Sequence, residues 1–97
     1  MRVRVESLRP DELRVAVEDE GHTLMNLLVS RLNEDERVTF AAYRIEHPLV
    51  GPTRMTLRTS GAAPLEVLRD AVEGLAAELE ELRRVLASEL RGAGQGA

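Results

Sequence analysis

The chain of 97 residues contains no cysteine, no lysine and no tryptophan, and its only phenylalanine and tyrosine are Phe40 and Tyr43. The absence of cysteine excludes a disulfide framework and a cysteine zinc site, and is compatible with a reducing compartment. Since 43% of the residues are hydrophobic but only 2% are aromatic, we expect one globular domain with a core of leucine, valine and alanine.

Long hydrophobic runs are also absent. No segment approaches the roughly 18 apolar residues of a membrane helix. The N-terminus alternates valine with charged residues instead of showing the apolar segment of a signal peptide. We therefore predict a cytoplasmic protein that has no membrane contact. The net charge of −4 argues against direct nucleic-acid binding. All 13 basic residues are arginine, which suits interface ion pairs but is also expected from a GC-rich genome.

Alternation of apolar and charged residues predicts four strands, at about 2–8, 12–18, 38–47 and 54–58. The short turn at 9–11 should join the first two as an antiparallel hairpin, and the last two should form a second hairpin. In the third strand, the apolar parity changes between Phe40 and Tyr43. This change indicates a bulge near Ala41–Ala42, or a strand covered on both faces.

The first predicted helix runs from about Thr23, a suitable N-cap residue, to Asn33. Its apolar residues cover an arc of about 200°, twice that of an ordinary surface helix. They are Leu24, Met25, Leu27, Leu28, Val29 and Leu32. We expect this helix to contact both its own sheet and something outside the domain. The alternative is that the second helix of the chain covers both sides.

The second predicted helix begins at Pro64, with Ala63 as its N-cap, and ends near Arg91, with Gly92 as C-cap. Its apolar residues step by alternating three and four positions, at Leu65, Leu68, Val72, Leu75, Leu79, Leu82 and Leu86. This heptad pattern is typical of a helix that packs on another helix. At about 40 Å the helix would overhang the sheet, so its distal leucines need a partner helix or form a solvated tail. Gly74 could allow the close approach of another backbone, or could have arisen by neutral drift.

These elements form a small α+β domain over residues 1–91, followed by a flexible tail at 92–97. Its sequence carries little catalytic chemistry. The histidines, His22 and His47, have no second ligand at metal-binding spacing, and no glycine-rich phosphate loop or nucleophile elbow is present. We predict no metal, no cofactor and no catalytic residues. Glutamates 78, 80, 81 and 89 favour a solvated helix face, on which Glu80 and Glu81 pair with Arg84.

Three short motifs resemble archaeal RNA polymerase subunit L, a family that includes eukaryotic counterparts and is distantly related to the bacterial alpha dimerisation domain. They are His22-Thr23-Leu24-x-Asn26-Leu27-Leu28, Val38-x-Phe40-Ala41-x-Tyr43 and His47-Pro48-Leu49. The similarity continues through Leu57-Arg58-Thr59 and the leucine- and glutamate-rich C-terminal helix, and covers about residues 13–86.

The resemblance implies a four-stranded, mostly antiparallel sheet with two helices on one face. It also implies a non-catalytic assembly subunit of DNA-directed RNA polymerase. Such a subunit forms a heterodimer with the other alpha-like RNA polymerase subunit, which is called D in archaea. The pair supports the large catalytic subunits, which hold the active-site magnesium. Other small subunits would join the same complex.

We expect the partner interface to comprise Leu24, Leu27, Leu28, Leu68, Val72, Leu75 and Leu79. These residues should bury against the sheet and the partner. His22, Thr23 and Asn26 should shape the start of the first helix. Two alternatives have other signatures: a homodimeric adaptor or regulator would self-associate through the same helices, and an acid–base enzyme would need a carboxylate-lined pocket.

Overall fold

The computed structural model describes residues 2–18, 22–45 and 51–95. These residues form four strands and two helices. In chain order they are β1 (Arg2–Arg9), β2 (Glu12–Glu18), α1 (His22–Leu32), β3 (Val38–Ile45), β4 (Thr53–Thr59) and α2 (Pro64–Gln95). The predicted end of the third strand, His47, and the His47-Pro48-Leu49 motif lie outside the described residues.

The strands form one sheet in the order β1-β2-β4-β3, and every neighbouring pair is antiparallel. Both predicted hairpins are therefore confirmed, and β2 and β4 join them in the centre of the sheet. The side chains of α1 and α2 that are buried belong to one core with the sheet, so the α+β fold with two helices on one face is also confirmed.

Two bulges set which strand residues face the helices. In β3 the extra residue is Thr39, because Val38 is opposite Thr59 whereas Phe40 is opposite Arg58. The predicted bulge near Ala41–Ala42 was therefore placed two residues too late. From Ala41 onward β3 alternates regularly, with its apolar face toward the helices. A second bulge, at Glu6, brings Val5 and Leu8 of β1 to that same face.

The core lies between the sheet, one face of α1 along its whole length, and the first two turns of α2. It contains the expected leucines, valines and alanines, together with two methionines. Its members are Leu13, Val15, Val17, Met25, Val29, Leu32, Ala41, Met55, Leu57, Val67 and Ala71. Alternating residues of β2 and β4 supply nearly half of this core because one face of each strand is covered by helices.

The helix α1 begins at His22, one residue before the predicted N-cap, so Thr23 lies inside the first turn. It ends at Leu32, as predicted to within one residue. The helix α2 begins at Pro64, and the Ala63 carbonyl accepts the first helical hydrogen bond from Val67, which confirms Ala63 at the N-cap position.

The predicted end of the second helix is wrong. Helix α2 continues through Gly92 to Gln95, and Gly92 does not have the positive φ of a capping glycine. The flexibility of residues 92–97 stays a prediction. With 32 residues, α2 is about 48 Å long. The radius of gyration is 16.5 Å, against about 13 Å for a compact chain of this size, so α2 overhangs the sheet as predicted.

Candidate partner interface

The two helices and the sheet enclose an open apolar groove of about 480 Å³. All twelve residues that line it are apolar. They are Val3 of β1, Val15 and Val17 of β2, Leu24, Met25 and Leu28 of α1, Met55 of β4, and Leu68, Val72, Leu75, Ala76 and Leu79 of α2. A concave surface without polar groups can bury apolar side chains but cannot form hydrogen bonds or ion pairs, so it is suited to apolar side chains of a partner.

Six of the seven residues predicted for the interface line this groove, namely Leu24, Leu28, Leu68, Val72, Leu75 and Leu79. None of the six is fully buried within the chain, and Val72 and Leu79 remain nearly half exposed. Leu27 does not line the groove, and 43% of its surface is exposed on α1. Their burial against a partner stays a prediction, but their surfaces are available for it.

The buried core residues of α2 are ones that the heptad pattern omits, although Leu68 of the pattern also packs against the core. Val67 is fully buried and Ala71 is 7% exposed, and both belong to the core. Their spacing of four residues marks a second stripe, next to the leucine stripe. Small side chains here let the helix lie close to the sheet, whereas the larger leucines are left on the groove side. A periodicity search that admits valine and alanine would have found this stripe.

Beyond Ala71, the described side chains of α2 include none that is buried. The distal half of the helix presents large apolar side chains to solvent, all about half exposed or more: Leu79, Leu82, Val85, Leu86 and Leu90. The flanking charges pair locally. Arg84 bonds Glu81 as predicted, whereas Glu80 pairs with Arg83 and not with Arg84. That pairing with the Arg83 guanidinium lowers the pKa of Glu80.

The apolar surface of β1 continues the groove toward the edge of the sheet. Val3, Val5 and Leu8 face the helix side, but each is more than half exposed, because neither helix reaches over this strand. Together with the distal α2 leucines, β1 makes an apolar surface much larger than scattered exposed residues would produce.

Polar contacts fix the position of α1 on α2 beside this apolar surface. Nη1 of Arg31 donates a hydrogen bond to Oε1 of Glu78 at 2.5 Å. The guanidinium lies over Gly74, where an added Cβ would be only 2.2 Å from Nη2. Gly74 therefore accommodates the Arg31 side chain.

A second network joins the loop after α1 to α2. The Arg37 guanidinium donates to both carboxylate oxygens of Asp35, with the shortest contact at 2.7 Å, and to Asp70 at 3.0 Å. These hydrogen bonds, together with one from the Arg37 backbone N–H, lower the pKa of Asp35 to about 2. The same pairing raises the pKa of Arg37. Because these three side chains are partly exposed, their role is to position the helices more than to add stability.

The residues of the first motif differ in their surroundings, since His22 contacts β3 whereas Thr23 and Asn26 are exposed. The His22 ring meets the Tyr43 ring edge-on at 5.4 Å, and its Nδ1 shares a short hydrogen bond with the Tyr43 hydroxyl. This contact ties the first turn of α1 to β3. Thr23 and Asn26 are exposed. Pro48, with His47, lies outside the described residues.

Across the described part of the chain, no group of three or more histidine, aspartate or glutamate side chains is placed to hold a metal ion. No helix there is long and apolar enough to cross a membrane. The residues around the groove form an open apolar surface. The fold and the groove define a small α+β protein with an exposed, apolar helical face.

Comparison with known proteins shows the family to which the chain belongs. Residues 12–85 match the model of the RNA polymerase Rpb3/Rpb11 dimerisation domain. Since this match covers more than half of the sequence, the chain belongs to that family. This result agrees with the resemblance found in the sequence motifs.

Individual relatives support the assignment. The chain is 40% identical to DNA-directed RNA polymerase subunit Rpo11 of Archaeoglobus fulgidus, over 84% of this chain and 95% of the relative. It is 43% identical to Rpo11 of Methanothrix thermoacetophila, over 87% of this chain and 92% of the relative. It is 38% identical to RNA polymerase II subunit RPB11 of Schizosaccharomyces pombe, over 81% of this chain and 65% of the relative. The crystal structure of RNA polymerase subunit L from Thermoplasma acidophilum superposes on this chain with a TM-score of 0.82 at 26% sequence identity. The superposition covers 93% of this chain and 89% of that structure's chain.

Proposed function

We propose that this chain is the smaller alpha-like subunit, subunit L, of an archaeal DNA-directed RNA polymerase and acts in the cytoplasm. It forms a heterodimer with the alpha-like D partner, and the pair is the platform on which the large catalytic subunits and other small subunits assemble. The chain contributes no catalytic residues to nucleotide transfer. The observation that carries this proposal is the open apolar groove, which is continuous with the exposed leucines of α2.

The groove explains how a partner would be held. Each large apolar side chain that passes from water into a packed interface contributes about 1.5–3 kcal/mol when fully buried, and about half of that when it starts half-buried. The leucines of α2 alone could therefore supply several kcal/mol. Helices of the partner would pack on α1 and α2, and the heptad spacing sets the register of their side chains.

The test is co-expression of the tagged chain with the D partner from the same organism. We expect Leu75→Asp and Leu79→Asp each to abolish recovery of the D partner, because they bury an unpaired carboxylate in an apolar seam. Leu79 is the safer position, since it is already 45% exposed and the fold of the single chain needs it less.

Ala77→Asp is the matched control. It adds the same charge to the same two turns of α2, at an exposed position outside the groove, and should leave recovery of the D partner unchanged. Undiminished co-purification of the D partner with both leucine variants would show that the groove is not the interface. A stable homodimer of the wild-type chain that excludes the D partner would instead favour the homodimeric adaptor.

A further inference from the structure

The face of the sheet that points away from the helices carries most of the positive charge of the chain. We call it the outer face. Among the described residues it presents Arg2, Arg4, Glu6, Arg9, Glu12, Arg14, Glu18, Arg44, Arg54 and Arg58, with Phe40 among them. Seven arginines against three glutamates give these residues a formal charge of +4. The whole chain has −4, so the rest of the chain carries −8.

The arginines are concentrated across one row of the sheet. Arg44 of β3 lies directly opposite Arg54 of β4, and Arg4 of β1 lies beyond the intervening Ala16 of β2. Like charges directly opposite each other destabilise a sheet. Glu6 offsets part of this charge by accepting hydrogen bonds from Arg54, which lower its pKa. A net positive formal charge remains on these four residues.

The outer face also has a concave part and an exposed aromatic ring. A shallow depression of about 520 Å³ is lined by Glu6, Arg14, Phe40, Arg44 and Arg54, among others. The Phe40 ring is 44% exposed, and the Arg58 guanidinium lies 5.2 Å from its centroid. An exposed aromatic ring surrounded by arginines is the composition that protein interfaces favour.

We infer that the outer face binds an acidic peptide segment of a polymerase subunit other than the dimer partner. This inference rests on the proposed function, in which the partner covers the groove on the opposite side and leaves the outer face on the outside of the dimer. Planar guanidinium groups pair with carboxylates through two parallel hydrogen bonds, so aspartate and glutamate side chains are the matching chemistry.

The glutamates on the outer face favour protein over nucleic acid as the ligand. Glu12 accepts hydrogen bonds from Arg58 at 2.7 Å and from Arg14 at 3.0 Å, and so remains among the arginines as a fixed negative charge with a lowered pKa. A duplex presents one phosphate charge per roughly 1.7 Å of its axis and would be repelled at these positions. A peptide with spaced acidic residues can avoid them.

The experiment uses tagged wild-type and variant chains expressed in the host, with the assembled complex purified at increasing salt. Arg14→Glu with Arg44→Glu should retain the D partner but recover the large subunits about tenfold less well than wild type. The control, Arg69→Glu with Arg91→Glu, makes the same charge change on exposed positions of α2 and should recover every subunit.

Equal recovery of all subunits by the outer-face variant and the wild type would overturn the inference. If the glutamate variant also loses the D partner, the neutral pair Arg14→Gln with Arg44→Gln decides: a retained D partner with reduced large subunits supports the inference, and full recovery overturns it. If the purified dimer binds duplex DNA in a fluorescence anisotropy titration and the glutamate variant does not, the ligand is nucleic acid and the inference is wrong. If the wild type recovers no polymerase subunit, the proposed function itself fails.

Discussion

Single charged side chains hold α1 and α2 in the arrangement that shapes the groove. Arg31 reaches from α1 across Gly74 to Glu78, and Arg37 connects Asp35 to Asp70 of α2. The sequence left the role of Gly74 open. Periodicity cannot pair residues that lie 47 positions apart, so these contacts required the folded chain.

The Asp35 carboxylate makes the free energy of unfolding depend on pH in the acidic range. Its pKa is about 2 in the folded chain, below the usual value near 3.9, so the native state binds the proton less readily than the unfolded state. The stabilising contribution of Asp35 is therefore complete above about pH 4 and is lost as the pH falls toward 2.

We expect Asp35→Asn to flatten the decline of the free energy of unfolding between pH 4 and pH 2, as measured by urea titration at each pH. Glu89→Gln removes a carboxylate from the exposed end of α2 and should keep the wild-type slope. An Asp35→Asn chain whose decline matches that of wild type would show that Arg37 does not hold this carboxylate in solution.

The elements differ in how well the sequence predicts them. Alternation identified all four strands because each of them has one apolar face, which the helices cover on β2 and β4 but leave largely exposed on β1. The hairpins followed from the short connections. The bulge at Thr39 was misplaced, since apolar parity alone reveals that a shift occurs but not at which residue. The end of α2 was misplaced because Gly92 remains helical.

The leucine stripe of α2 shows both the strength and the limit of the pattern. Four of the residues that it assigned to the partner interface, Leu68, Val72, Leu75 and Leu79, line the groove, and their burial against a partner stays a prediction. It did not identify Val67 and Ala71, which hold the helix on its own sheet. Hydrophobic spacing shows that a helix has an apolar stripe, but not whether the same chain, another chain or solvent lies against it.

Removal of residues 85–97 tests whether the first turns of α2 hold the fold while its distal part serves the partner. The shortened chain should keep its free energy of unfolding to within about 1 kcal/mol, because the removed side chains are exposed. Recovery of the D partner should fall, because Val85, Leu86 and Leu90 are removed.

The two parts of α2 can then be compared by urea unfolding. Val67→Ala removes buried volume and should cost roughly 2 kcal/mol. A truncation more destabilising than Val67→Ala would mean that the distal helix supports the fold of the single chain.

The whole molecule is a sheet with two unlike sides. The helix side is apolar and is extended by the overhang of α2 to a longest dimension of 55 Å, whereas the outer face is rich in arginine. The sequence predicted that the long heptad helix overhangs the sheet, so that its distal leucines need a partner helix or form a solvated tail. It did not predict the charged outer face, because the overall charge of −4 conceals two regions of opposite sign.

The most direct test of the assembly role is purification of the tagged wild-type chain from its host, with stoichiometric partners identified by mass spectrometry at increasing salt. We predict recovery of the polymerase subunits, with the D partner the last to dissociate, since the apolar groove is least sensitive to salt. Recovery of the chain alone, or as a homodimer free of polymerase subunits, would contradict the assembly role.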